Sequence, residues 1–331
     1  MRLWFRTPWP RAAALLVGSS LALGCDREEP PAPAGSARAS TPTPSVDAVP
    51  PDVPRLLFLP DAGDVAPPSA PFPELGQVGL PVGRCGPEMV EVKRTFCIDR
   101  YETSLVDAQG RSLSPYYHPK PERVRATFDH WRQRSARSKT ALGRALEVPE
   151  PPAWQLSEPF DIRAVSQRGV VPSGYLSLDV AARACANAGK RLCTHDEWLT
   201  ACKGEQGHKY PYGPSYQADT CNVHRPAHPA SLLHGNASIH HTDPRLNTAH
   251  DHGDPLLRRT GETSGCKSTW GNDAIYDMVG NLDEWIADPD GTFVGGFFSR
   301  ATKAGCDAAI SSHPPEYFDY SLGTRCCRDL R

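Results

Sequence analysis

The chain has 331 residues, including 34 prolines and eleven cysteines, with 22% charged and 39% hydrophobic residues and a formal charge of −2. So balanced a charge supplies no basic surface for counterion-release binding to nucleic acid. Eleven cysteines are too many for an ordinary reduced cytosolic enzyme and too few for a small disulfide knot, which points to export.

Met1 to Cys25 opens with Arg2, Arg6 and Arg11, continues through a mostly apolar run from Ala12 to Leu23, and closes on Gly24-Cys25. That run is too short to cross a hydrocarbon core about 30 Å thick, so residues 1–24 read as a cleaved signal peptide. Leu21-Ala22-Leu23-Gly24-Cys25 resembles a bacterial lipobox, although Leu23 stands where a smaller residue is usual. It makes Cys25 the lipidation site and places the mature protein, anchored to the membrane, in the bacterial cell envelope facing the periplasm or the cell exterior. Inner and outer membrane are left open. Removing Cys25 from the count leaves ten cysteines, an even number.

Residues 26–82 hold 14 prolines and no cysteine. Such a stretch cannot bury enough apolar surface to offset its ordering entropy, and proline favours extended chain. Residues 25–82 therefore read as a disordered, Pro-rich tether, with Arg55 to Leu59 as its one apolar island. The remaining cysteines all lie between Cys85 and Cys327, which sets the folded unit at 83–331.

Within that unit the alternation Met89-Val90-Glu91-Val92 and the run Phe96-Cys97-Ile98-Asp99 predict two short strands, close enough for a Cys85–Cys97 bridge. Residues 114–168, basic and proline-bounded, read as an insertion with a helix over 121–146. Leu178, Ala181, Ala182 and Cys185 recur at helical spacing and Gly189 is a C-terminal stop, which predicts a helix over 177–188. Thr194-His195-Asp196-Glu197 is a capping box opening a second helix to Cys202, with Trp198 facing inward. After it Gly, Pro, Asn and His dominate, and a second insertion is expected near 224–260.

Four segments then fall in one order: Asn187 to Trp198, Tyr210-Pro211-Tyr212-Gly213, Tyr276 to Trp285, and Leu322-Gly323-Thr324-Arg325-Cys326. Together they resemble the formylglycine-generating enzyme (sulfatase-modifying factor) family, and the resemblance covers about 85–331. It implies an α+β, C-type-lectin-like fold of that enzyme's type, loop-rich and disulfide-stabilised. Catalytic members hold Cu(I) between two cysteines that follow a Gly-Gly-Ser-Trp motif; a soft ion of this kind needs paired thiolates. The matching stretch here is Val294-Gly295-Gly296-Phe297-Phe298-Ser299-Arg300, with Arg300 where the first copper cysteine falls and Ala304-Gly305 near the second. Copper is therefore not expected. The resemblance also includes iron-dependent members, but their helical histidine motif is not found, so iron is not expected either.

The resemblance pairs Cys185 with Cys326 and Cys202 with Cys306. Cys221 with Cys266, as the closure of one loop, and Cys193 with Cys327 complete five bridges, although Cys185 and Cys193 could exchange partners. Each longer loop so closed is expected to contribute roughly 2–4 kcal/mol.

The resemblance further implies a structural Ca²⁺ held by Asp277, the Gly280 and Leu282 carbonyls and Glu284, hard oxygen donors suited to that ion. A second site would use Asn222 and the Val223 carbonyl, with no recognisable downstream Asp. Seven of the twelve histidines lie between His224 and His252. Spacing permits a Zn²⁺ or Cu²⁺ site at His240, His241, His250 and His252, although Pro, Asn and Gly around them favour a polar loop. Tyr116, Tyr117, Trp154, Tyr317, Phe318 and Tyr320 could form a binding face if exposed. No phosphate loop, dinucleotide fingerprint or serine-nucleophile elbow is present. The resulting expectation is an envelope lipoprotein whose domain is a non-catalytic module binding a protein or glycan. The alternative is a diverged metal-dependent oxidase or oxygenase of the same superfamily.

Overall fold

The computed structural model describes residues 84–300 and 302–330; the signal peptide, Cys25 and the whole tether lie outside these residues. Among the described residues no helix is long and apolar enough to cross a membrane.

Strands β1 (Met89–Val92) and β2 (Phe96–Asp99) form the expected hairpin, with Val90 opposite Ile98. Strand β3 (Thr103–Val106) follows. The predicted helix over 121–146 is instead divided: α1 (Pro121–Arg134) and α2 (Ala141–Ala145) are separated by a turn. Proline opens α1 at its first turn, where its missing N–H costs no hydrogen bond. Val124, Phe128 and Trp131 then bury one face at helical spacing. The helix does not continue because Thr140 restarts the chain, its side chain accepting from the Gly143 N–H at 2.9 Å. Arg245, from the second insertion, donates to the Gly143 and Leu146 carbonyls and so satisfies the end of α2.

Helix α3 (Ala153–Ser157) and strand β4 (Arg163–Ser166) lead to α4 (Leu178–Asn187), strand β5 (Arg191–Leu192) and α5 (His195–Lys203). β3 and β4 pair with each other. The capping box opens α5 as expected, and Trp198 is fully buried. Helix α6 (Pro229–His234) and the two-residue strands β6 (His250–Asp251) and β7 (Asp254–Pro255) belong to the second insertion. Next come β8 (Lys267–Trp270), β9 (Asp273–Tyr276), β10 (Asp283–Trp285) and β11 (Phe293–Val294). Strands β12 (Ala309–Ile310), β13 (Leu322–Thr324) and β14 (Cys326–Asp329) end the fold.

Two four-stranded sheets organise the centre, in the orders β1-β2-β14-β5 and β12-β11-β10-β13, with β10 and β13 parallel. One apolar cluster gathers around Trp198 and Ile98, and a second around Trp285 and Leu176. A third, with Tyr175 and Leu233, seats the second insertion. All ten described cysteines form five disulfides: Cys85–Cys97, Cys185–Cys326, Cys193–Cys327, Cys202–Cys306 and Cys221–Cys266. Three of them, from Cys185, Cys193 and Cys202, tie α4, α5 and the chain between to the C-terminal segment.

Candidate functional site

The segment after β11 turns through Gly295 and Gly296 at φ of +89° and +78°. A side chain at Gly296 would meet Thr302 Oγ1 at 2.5 Å, so only glycine lets this turn close. Phe297 and Phe298 then enter the core and Arg300 returns across the turn. Its Nη1 donates to Asp283 Oδ1 at 2.8 Å, and its guanidinium lies 5.1 Å from the Phe297 ring centre. Asp283 is fully buried on β10, and its Oδ2 has no hydrogen-bond partner among the described residues. Burial pushes its carboxyl up to about 7; Arg300 pulls against that rise and Asp319 adds to it. Asp319 accepts from Tyr317 Oη at 2.7 Å and from the Ser321 N–H at 2.8 Å. The position expected for the first copper cysteine is thus one half of an arginine–carboxylate pair. Cys306, farther along, is held by Cys202.

The residues expected to bind calcium do lie together, because Gly280 makes its sharp turn at φ +85° against the chain at Asn222. The Asn281 N–H donates to the Asn222 carbonyl at 2.9 Å, and Asn222 Nδ2 donates to Asn281 Oδ1 at 2.9 Å. Glu284, however, accepts from Arg325 Nη2 at 2.7 Å, from Arg325 Nε at 2.8 Å and from Trp198 Nε1 at 2.6 Å. A buried guanidinium therefore supplies positive charge beside Glu284 as folded. Asp277 is turned to the Gly261 N–H at 2.6 Å. At the second set, among the described residues, Asn222 Oδ1 is buried without a partner and no carboxylate hydrogen-bonds to that amide.

Glu102 belongs to the same network, a role the sequence reading missed. It accepts from Asn281 Nδ2 at 2.6 Å and from the Leu282 N–H at 3.1 Å. Burial raises its pKa well above the ordinary carboxylate value, and the neighbouring Asp277 and Glu284 raise it further. Burial likewise pushes Asp277 up to about 7. Three buried carboxyls thus share one guanidinium, that of Arg325, which also donates to the Asp99 and Tyr276 carbonyls. Nothing in local periodicity marks Glu102 as buried. The adjacency of Glu284 to the β10 core residue Trp285 was the available hint for that acid.

The four histidines proposed as metal ligands are separated. His240 packs on His234 and Trp131, whereas His241 turns to the Ala237 carbonyl at 2.7 Å and toward Tyr320. His250 and His252 stand exposed on the β6–β7 hairpin. Among the described residues no group of three His, Cys, Asp or Glu side chains converges as a metal site. The aromatics that would form a binding face if exposed are not exposed: Tyr117 and Tyr320 are buried, and Tyr116, Trp154, Tyr317 and Phe318 are partly buried anchors.

The short strands, the two helices tied to the C-terminus and the five bridges define a disulfide-stabilised, loop-rich α+β domain of the formylglycine-generating enzyme type. Residues 159–330 match the Sulfatase-modifying factor enzyme 1-like domain, and the chain belongs to that family. Similar solved structures include PvdO from Pseudomonas aeruginosa, at 14% identity over 71% of this chain and 80% of that one, with a TM-score of 0.34. CarF is similar at 14% identity over 71% of this chain and 87% of that one, with a TM-score of 0.32. The Major Tropism Determinant I1 variant follows at 16% identity over 74% and 53%, with a TM-score of 0.29. No curated protein matches the chain.

Proposed function

We propose that this chain is an envelope-anchored lipoprotein whose sulfatase-modifying-factor-like domain is a non-catalytic module that binds a protein or glycan. The observation that carries the reading is the Arg300–Asp283 pair at 2.8 Å, because a cation fixed at this position opposes binding of Cu(I) there. The pairing of all ten described cysteines supports it further, since Cu(I) needs free thiolates. Separation of the histidines weakens the alternative of a diverged metal-dependent oxidase built on that loop. The lipobox-like Leu21 to Cys25 supports the anchor.

The test is incubation of the oxidised protein with a Cys-x-Pro-x-Arg peptide, copper and oxygen. The expected outcome is a peptide whose cysteine is unchanged by mass spectrometry. Appearance of the aldehyde at a rate that depends on the protein would overturn the reading.

A further inference from the structure

The two insertions meet around a cavity of about 250 Å³ lined by Trp131, Arg134, Arg137, Lys139, His234 and His240, among others. One wall is the end of α1 and the turn before α2; the other is the end of α6 and the loop after it. Contact between α2 and α6 holds the walls together, with Thr140 Oγ1 donating to the Leu233 carbonyl at 2.9 Å. Ile239 and Trp131 form the apolar side of the cavity, although Trp131, 4% exposed and packed on by His234, His240 and the Arg245 guanidinium, shows it little surface.

Its charge is one-sided. Arg134, Arg137 and Lys139 form no ion pair among the described residues. Favourable interaction with the C-terminus of α1 accounts for Arg134. The same account serves Arg137, which closes the 3-10 turn Ser135–Arg137 that continues α1, but it does not account for Lys139, which lies beyond both. Asp243, the carboxylate behind the histidines, is already committed: Arg245 Nη2 stands 2.7 Å away and His234 Nε2 3.0 Å away. His240 adopts a left-handed backbone at φ +62°, which an L residue rarely occupies, and its ring packs edge-on to Trp131 at 5.3 Å.

We infer that this cavity binds the oxyanion head of a small phosphate or sulfate ester. Guanidinium forks match tetrahedral oxyanions through paired hydrogen bonds, and a lysine adds a point charge. The apolar side, Ile239 with the exposed part of Trp131, takes the organic part of the ester. The site is built partly by residues 131–139, which precede the family match at 159–330. It does not rest on the reading of Arg300 and Asp283, and neither inference depends on the other.

The experiment is isothermal titration of the full chain in detergent with glucose 6-phosphate, inorganic phosphate, sulfate and uncharged glucose. The ester is expected to bind more tightly than inorganic phosphate or sulfate, glucose to give no heat, and the affinity to fall as salt rises. Arg137→Ala combined with Lys139→Ala, both exposed positions, is expected to weaken ester binding at least tenfold with an unchanged melting temperature. His240→Ala, at the opposite wall, is expected to weaken it as well. Absence of binding by every anion, equal binding of glucose and the ester, or undiminished affinity in the folded double variant would overturn the proposal. Equal affinity for inorganic phosphate and the ester would overturn the role given to the apolar side.

Discussion

Arg300 Nη1 donates to the carboxylate of Asp283 at 2.8 Å, with the acid fully buried and the arginine partly open to solvent. This pair fixes the turn after β11 to β10. An isolated buried carboxylate would be costly, and the arginine offsets that cost from the solvent side.

Replacement of Arg300 by Met is therefore expected to destabilise the fold in a pH-dependent way. The folded-state pKa of Asp283, about 7, lies above its ordinary value. Its protonated form thus favours folding at low pH, and this contribution is lost as pH rises through 7. Without Arg300 the loss deepens. Urea denaturation should show a cost of about 1–3 kcal/mol at pH 9 and much less at pH 5; a cost independent of pH would refute the argument.

Asp277 obeys the same sign. Its folded pKa of about 7 exceeds its unfolded value, so its contribution is present below the unfolded pKa and disappears as pH rises through 7. Asp277→Asn keeps an acceptor for the Gly261 N–H and removes the titration. The variant should gain on wild type between pH 4 and pH 8, on the order of 2–4 kcal/mol. Parallel stability curves for the two proteins would count against a buried, protonated Asp277.

Arg325 stands against Glu284, one of the residues expected to hold a calcium ion, and pairs with it directly. The melting temperature should be the same in EGTA and in millimolar Ca²⁺, whereas Arg325→Met should lower stability by about 3–5 kcal/mol through the acids it leaves unpaired. A clear rise in melting temperature with Ca²⁺ would mean that Glu284 exchanges its guanidinium for the ion.

The bridge between Cys202 and Cys306 spans 104 residues and holds α5 to the segment after Arg300. Cys202→Ala with Cys306→Ala should cost about 2–5 kcal/mol. Iodoacetamide should label none of the ten cysteines from Cys85 to Cys327 in the unreduced, urea-unfolded protein; labelling of any one identifies a thiol that this account does not allow.

The lipid anchor gives a separate expectation. Wild type should partition into the Triton X-114 detergent phase and Cys25→Ala into the aqueous phase; wild type remaining aqueous would remove the anchor from the proposed function.

Local signals were enough for the hairpin at Met89 to Asp99, and for α4 and α5, because alternation, capping and a terminal glycine act within a few residues. Ten cysteines beyond Cys25 also announced a bridged domain, and the resemblance supplied two of the pairs. The partners of Cys326 and Cys327 needed the sheet. On β14 adjacent side chains point to opposite faces, so Cys326 reaches α4 at Cys185 while Cys327 turns to Cys193. Tertiary structure also divided the predicted helix over 121–146, since Thr140, which caps α2, is held by its hydroxyl to the Leu233 carbonyl of the second insertion. It likewise placed Glu102, Asp277 and Glu284 around Arg325. Charge compensation across such sequence distances leaves no period in the chain, and it is set only when burial removes water from the groups involved.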